Sequence, residues 1–263
     1  MGPFDRYHVN HVLFGAYYES DIYDRFCGAA PTAMRAFQWR VDPAFKAHKL
    51  IFVHVPRAAG MSVAQALGAR PQSHYSMRYY RTVAPRFAAD AESFAVLRDP
   101  FERFASAYAI VRAGGAERVT LSSPFRRQTR GIHSVDAYLD WLETRSPLQR
   151  DHVMRPQSWY ITDLNSGEVL VKRLFLLGPE TEALCDYLRR HGVGPLGWIN
   201  RSERLPLDLT PLQCQRVVDL YREDFELVSA LRAQRAREAA ARRVSEAAAR
   251  YISDAAVLNI AAE

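Results

Sequence analysis

Two short stretches of this chain bring together the residue types that grip an oxyanion. The first is Val53-His54-Val55-Pro56-Arg57-Ala58-Ala59-Gly60-Met61-Ser62. An apolar run ends at Pro56, a tight loop follows, and then a segment suited to a helix. Gly60 lets backbone approach a ligand, and a helix start offers free N–H groups at the positive end of a dipole. Arg57 adds a charge and Ser62 a hydroxyl. The stretch is not a Walker-type loop, because G-x-x-x-x-G-K-[ST] is absent. The second stretch is Phe94 to Tyr108, with Arg98 where a strand ends and Ser106 well inside the next helix. Both side chains can reach one anion. Each feature also has a plain alternative: an ordinary strand–turn–helix, a surface ion pair for Arg98, and for Ser106 a hydroxyl bonded to its own helix backbone.

These residues need elements to position them. The β-branched apolar run 49–55, stopped by Pro56, predicts a buried strand, with a helix over 61–67 after it. A second strand is expected at 93–97 and a helix over 100–112. That helix start is well signalled, with Asp99 as N-cap, Pro100 at the first helical position and Glu102 completing a capping box. Two strand-to-helix units in succession argue for a parallel sheet flanked by helices, an α/β fold. Residues 114–130, rich in Gly, Ser and Arg, read as a loop. Helices follow at 135–144 and 180–191, a strand at 169–177, and a long helix from Thr210-Pro211. Residues 1–47 are aromatic and polar without a clear period, and are expected to wrap a domain of residues 48–231. From 232 to 263 the chain is Ala, Arg and Glu. There Val244, Ala248, Tyr251, Ile252, Ala255 and Leu258 fall on one helical face, a packing stripe for this subunit or for a homo-oligomer.

The length of 263 residues suits one sizeable domain, and 48% hydrophobic residues exclude a disordered chain. A net charge of +6 favours an anionic partner: nucleic acid, a membrane surface, a small polyanion or an acidic polymer. Arginine carries most of that charge, and its planar fork suits phosphate and sulfate. Cys27, Cys185 and Cys214 are odd in number and widely spaced, which argues against a disulfide framework or a zinc site. No signal peptide or apolar span stands out, so a reducing, cytoplasmic setting is expected. Asn200-Arg201-Ser202 matches a glycosylation acceptor that such a setting leaves idle.

Taken together and in this order, the two stretches resemble the cofactor signatures of sulfotransferases that use 3′-phosphoadenosine 5′-phosphosulfate. The resemblance is to the carbohydrate, uronyl 2-O-like, branch. That family pairs a strand and a Pro-Lys-Thr-Ala-Gly-Thr-Ser-like loop with a later Arg-Asp-Pro…Arg…Ser-x-Tyr segment. Here these are Pro56 to Ser62 and Arg98 to Tyr108. Weaker likeness continues through Asp151-His152…Pro156-Gln157-Ser158, Asn200-x-Ser202 and Tyr221 to Phe225, so it covers about residues 49–231. The resemblance implies a P-loop-like fold in one domain. It implies that Pro56, Arg57, Ala58, Ala59, Gly60, Met61 and Ser62 grip the 5′-phosphosulfate, and that Arg98 and Ser106 grip the 3′-phosphate. The family's loop lysine is Arg57 here, which keeps the charge but cannot donate a proton. Its loop threonines are Ala58 and Met61, so two hydroxyl donors are missing.

The resemblance also implies the base. His74 occupies the place of a Gly-His-Val-Ser-like histidine, and an ordinary histidine titrates at a useful pH for proton removal. His152 is the runner-up, expected to touch cofactor or acceptor, while His54 lies inside the strand and is expected to pack. No metal is implied. The acceptor is expected to be a carbohydrate hydroxyl, with Arg78, Arg81, Arg112, Arg118, Arg126, Arg127 and Arg130 suggesting an acidic polysaccharide, and no nucleic acid. A nucleotide kinase is disfavoured by the missing Gly-Lys-Ser/Thr. A non-catalytic relative that binds nucleotide or acidic glycan is kept open by Arg57, Ala58 and Met61.

Overall fold

The computed structural model describes residues 6–36, 41–70, 74–114, 121–197 and 207–260, with side chains up to 247. Three parallel strands form its sheet in the order β1-β2-β3: β1 Leu50–Val53, β2 Glu92–Leu97 and β3 Arg173–Leu176. Register pairs Val53 with Ala95 and Leu97 with Leu176, so the carboxyl ends of all three strands share one edge. All four β1 residues are buried, as their apolar types demand. The ring of Phe94 lies 5.1 Å from Phe52 and 6.3 Å from Phe175, which ties the strands together on one face.

Helices surround this small sheet. Ahead of β1 come α1 Arg6–Phe14, α2 Glu19–Ala29, α3 Pro31–Met34 and α4 Pro43–His48. Between β1 and β2 lie α5 Gly60–Ala66, α6 Met77–Val83 and α7 Pro85–Asp90. Then follow α8 Pro100–Arg112, α9 Ser123–Gln128, α10 Val135–Glu143 and the short α11 Ser158–Ile161. After β3 come α12 Thr181–Arg190, α13 Pro211–Leu220 and α14 Arg222–Ile260. The architecture is therefore α/β, mostly helical, with a three-stranded parallel sheet flanked by helices. A second core of Phe104, Tyr138, Leu142, Met154 and Tyr221 packs α8 against α10 and α13.

The expected strand–helix units are present with small shifts. His54 and Val55 have left the strand. Asp99 caps α8 through bonds from the N–H groups of Phe101 (3.0 Å) and Glu102 (3.3 Å), while the Glu102 carboxylate turns to Arg98. Three readings need correction. Residues 6–48, read without any helical period, hold four helices, of which α1 buries no residue. The stretch read as a loop contains α9, begun by Pro124 in its first turn. The long helix from 210 is two, separated at Tyr221, whose hydroxyl donates to the Met154 carbonyl at 2.7 Å. The chain divides into two compact units, 1–225 and 226–263, slightly ahead of the composition change at 232. The second unit is helical to Ile260. Asn200 to Ser202 and Arg118 lie outside the described residues, as do the side chains of the stripe beyond Val244.

Candidate active site

The site starts where β1 ends. Two non-glycine residues of the loop adopt left-handed backbone, Arg57 at φ 69° and Ala59 at φ 59°. Such conformations cost about 1–3 kcal/mol each and persist only where the surroundings enforce them. Left-handed turns of this kind are how backbone N–H groups converge in anion-binding nests. Among the described residues, no backbone carbonyl accepts from the N–H groups of Arg57, Ala59 or Gly60. Gly60 opens α5, and a Cβ there would sit 1.8 Å from His54 Cδ2. The glycine is demanded by the His54 ring packed beneath it. Ala58 is buried, whereas Met61 is exposed.

The second stretch lies beside the first because β1 and β2 are paired. Arg57 Nε donates to Ser106 Oγ at 2.9 Å, so a hydrogen bond joins the two segments read from the sequence. Arg98 emerges from β2 and its Nε meets Glu102 Oε2 at 3.1 Å. Arg103, fully buried, donates from Nε to the Pro56 carbonyl at 3.0 Å, and its Nη2 has no partner among the described residues. Burial, then the charges of Arg98 and Arg103, pull the Arg57 guanidinium down to about 10. It remains a cation at neutral pH. Arg57, Arg98 and Arg103 thus crowd one end of the sheet, and among the described ion pairs only Arg98 has a carboxylate within reach. Arg57 and Arg98 are half-buried, and like charges gathered this closely disfavour one another until an anion joins them.

Three histidines continue inward from the loop. The His74 ring lies 4.4 Å from His54 and 4.9 Å from His152. His74 Nδ1 is 3.2 Å from the His54 carbonyl oxygen, which can only accept. Nδ1 therefore carries the proton, and Nε2 keeps its lone pair. His152 differs. Tyr160 donates to the His152 carbonyl at 3.0 Å, and its oxygen sits 3.1 Å from His152 Nδ1. Ser20 Oγ lies 3.4 Å from Nε2. Both His152 nitrogens are engaged, and its ring is buried against Tyr18 at 3.9 Å. His74 is partly exposed, and of the two rings it is the one that an outside molecule can reach; His152 packs behind it.

Electrostatics separates these rings from ordinary histidines. Burial, then Arg155 and Arg103, lowers His74 to about 4, against the bond to the His54 carbonyl. His54 and His152 are pushed well below the usual range, chiefly by burial. All three are neutral at pH 7. Beneath them Arg155 and Asp21 form a fully buried two-pronged ion pair of 2.5 and 2.8 Å.

Sequence reasoning missed Arg103, Tyr160 and the Asp21–Arg155 pair. Arg103 carried a signal, since it lies within the second stretch, but a helix arginine commonly faces solvent. Among the basic residues expected around an acceptor, Arg78 is spent internally. Its guanidinium bonds the carbonyls of Trp159 (2.8 Å) and Thr162 (2.6 Å) and the Asp24 carboxylate (2.9 Å). Arg112 reaches Tyr108 Oη at 3.4 Å, while Arg81, Arg126, Arg127 and Arg130 are exposed. No group of three or more metal-binding side chains occurs among the described residues, and no helix among them is long and apolar enough to cross a membrane. No protein-family model, no curated protein and no solved structure matches this chain.

Proposed function

We propose that this chain is a sulfotransferase of P-loop-like fold that transfers a sulfuryl group from 3′-phosphoadenosine 5′-phosphosulfate to a hydroxyl, in the first instance of a carbohydrate. The observation that carries the reading is the Arg57–Ser106 hydrogen bond, which sets the 5′-side loop and the 3′-side clamp against each other. The mutual repulsion of Arg57, Arg98 and Arg103, and the unbonded Arg103 Nη2, fit a polyanionic cofactor. The 5′-phosphosulfate falls to residues 56–62, and the 3′-phosphate to Arg98 and Ser106. Bound there, the cofactor supplies an activated sulfuryl group whose bond to the 5′-phosphate breaks as the acceptor oxygen bonds sulfur.

The chain's own residues do the rest. His74 Nε2, held unprotonated by the Nδ1 bond to the His54 carbonyl, takes the hydroxyl proton. Arg57 and the loop N–H groups face the charge left on the phosphate, and fixed donors in a water-poor site are effective stabilisers. A histidine titrating near 4 is a weak base, which favours as a second reading a non-catalytic relative that binds nucleotide or acidic glycan. Turnover of radiolabelled sulfuryl donor over a panel of sugar acceptors separates the two. Transfer establishes the enzyme, and tight binding of adenosine 3′,5′-bisphosphate without transfer establishes the binder. Absence of both removes the assignment.

A further inference from the structure

Arg98 begins where β2 runs out. Leu97 still has its strand partner, accepting from the Leu177 N–H at 2.7 Å, but no strand continues to serve the next peptide. The side chain of Gln157 takes over. Its Oε1 accepts from the Arg98 N–H at 2.9 Å, and its Nε2 donates to the Arg98 carbonyl at 2.8 Å. The primary amide thus acts as one more residue of sheet. A primary amide offers a donor and an acceptor side by side; a carboxylate cannot donate and an ammonium cannot accept.

Gln157 is itself fixed. The Asp224 carboxylate accepts from the N–H of Gln157 (2.8 Å) and of Ser158 (2.9 Å). Gln157 is 0% exposed and Asp224 1%, so neither can meet a ligand without the fold opening. Buried networks in which every member is satisfied rigidify what they hold. Here the held object is the backbone from which the Arg98 guanidinium projects.

We propose that Gln157 is the positioning residue that sets recognition of the cofactor's 3′-phosphate, acting through the Arg98 peptide and not by contact. This rests on the sulfotransferase reading of the site. The test is titration calorimetry on the full chain with adenosine 3′,5′-bisphosphate and adenosine 5′-phosphate, which differ only in the 3′-phosphate. In Gln157→Met, which keeps length without the amide, bisphosphate affinity should fall about tenfold, and 5′-phosphate affinity should stay within about twofold. An equal fall for both nucleotides, or no fall, overturns the proposal, since a merely structural glutamine would not spare one of them. If Gln157→Met does not fold, hydrogen exchange of the wild-type Arg98 amide decides. The bisphosphate should slow it further than the 5′-phosphate does, and equal slowing overturns the proposal. A wild-type protein that does not prefer the bisphosphate removes the sulfotransferase reading itself, an outcome distinct from a variant that keeps the preference.

Discussion

The two segments proposed to hold the cofactor are built by opposite means. The loop after β1 is held by shape: two left-handed residues, and a glycine pressed on a buried imidazole. The segment after β2 is held by hydrogen bonds: the Asp99 cap and the Gln157 amide pair. A site held by shape fails when an atom is added. A site held by hydrogen bonds fails when a donor or acceptor is removed, and by smaller steps. The Arg57–Ser106 bond is the seam between them.

The largest effect should come from the proposed base, His74, which is bonded to the first segment. His74→Ala should lower kcat by about a hundredfold to ten-thousandfold with bisphosphate affinity retained, measured by turnover and calorimetry. His152→Ala retaining the base but losing kcat outright would reverse their roles. The role proposed for His74 requires a neutral ring. Activity should therefore hold through pH 6.5 and fall on the acid side near pH 4, where the ring takes up its proton. A midpoint at the ordinary histidine value would show that the ring is solvated.

Gly60→Ala tests the shape-held loop. The added methyl meets His54 at 1.8 Å and should destabilise the fold by about 3 kcal/mol, read from denaturant unfolding. Shrinking His54 to alanine in the same protein should recover part of that loss, and strict additivity of the two changes would deny the contact. Arg98→Ala tests the other segment. Bisphosphate binding should weaken by about 2 kcal/mol, since bonds from a charged donor are the stronger ones, while thermal stability changes little. Ser106→Ala should give the smallest effect, about 1 kcal/mol or less in bisphosphate affinity. If it exceeded Arg98→Ala, the seam would matter more than the clamp.

Much of the loop and clamp could be read in the sequence because their determinants are local. Pro56 stops a β-branched run, and Asp99-Pro100 opens a helix, whatever lies elsewhere. The supporting residues could not be read. Arg103 is an ordinary helix arginine until Pro56, on another element, accepts from it. The tautomer of His74 depends on a carbonyl twenty residues away. Residues 6–48 hid their helices behind a sequence without a clear period, and α1 buries no residue. The low value of His74 is likewise a product of burial, which no motif encodes.

The Asp21–Arg155 pair has a consequence for biosynthesis. These partners lie 134 residues apart, so on the ribosome Asp21 is made long before the cation that neutralises it in the core. At translation speeds of about 5–20 residues per second, the wait is on the order of ten seconds. A lone carboxylate does not enter an apolar interior, so the face of α2 that carries Asp21 stays in water until Arg155 has emerged, although α3 and α6, on which α2 also packs, are made earlier. A nascent chain stalled before Arg155 should therefore leave α2 open to protease, and one stalled well beyond it should not.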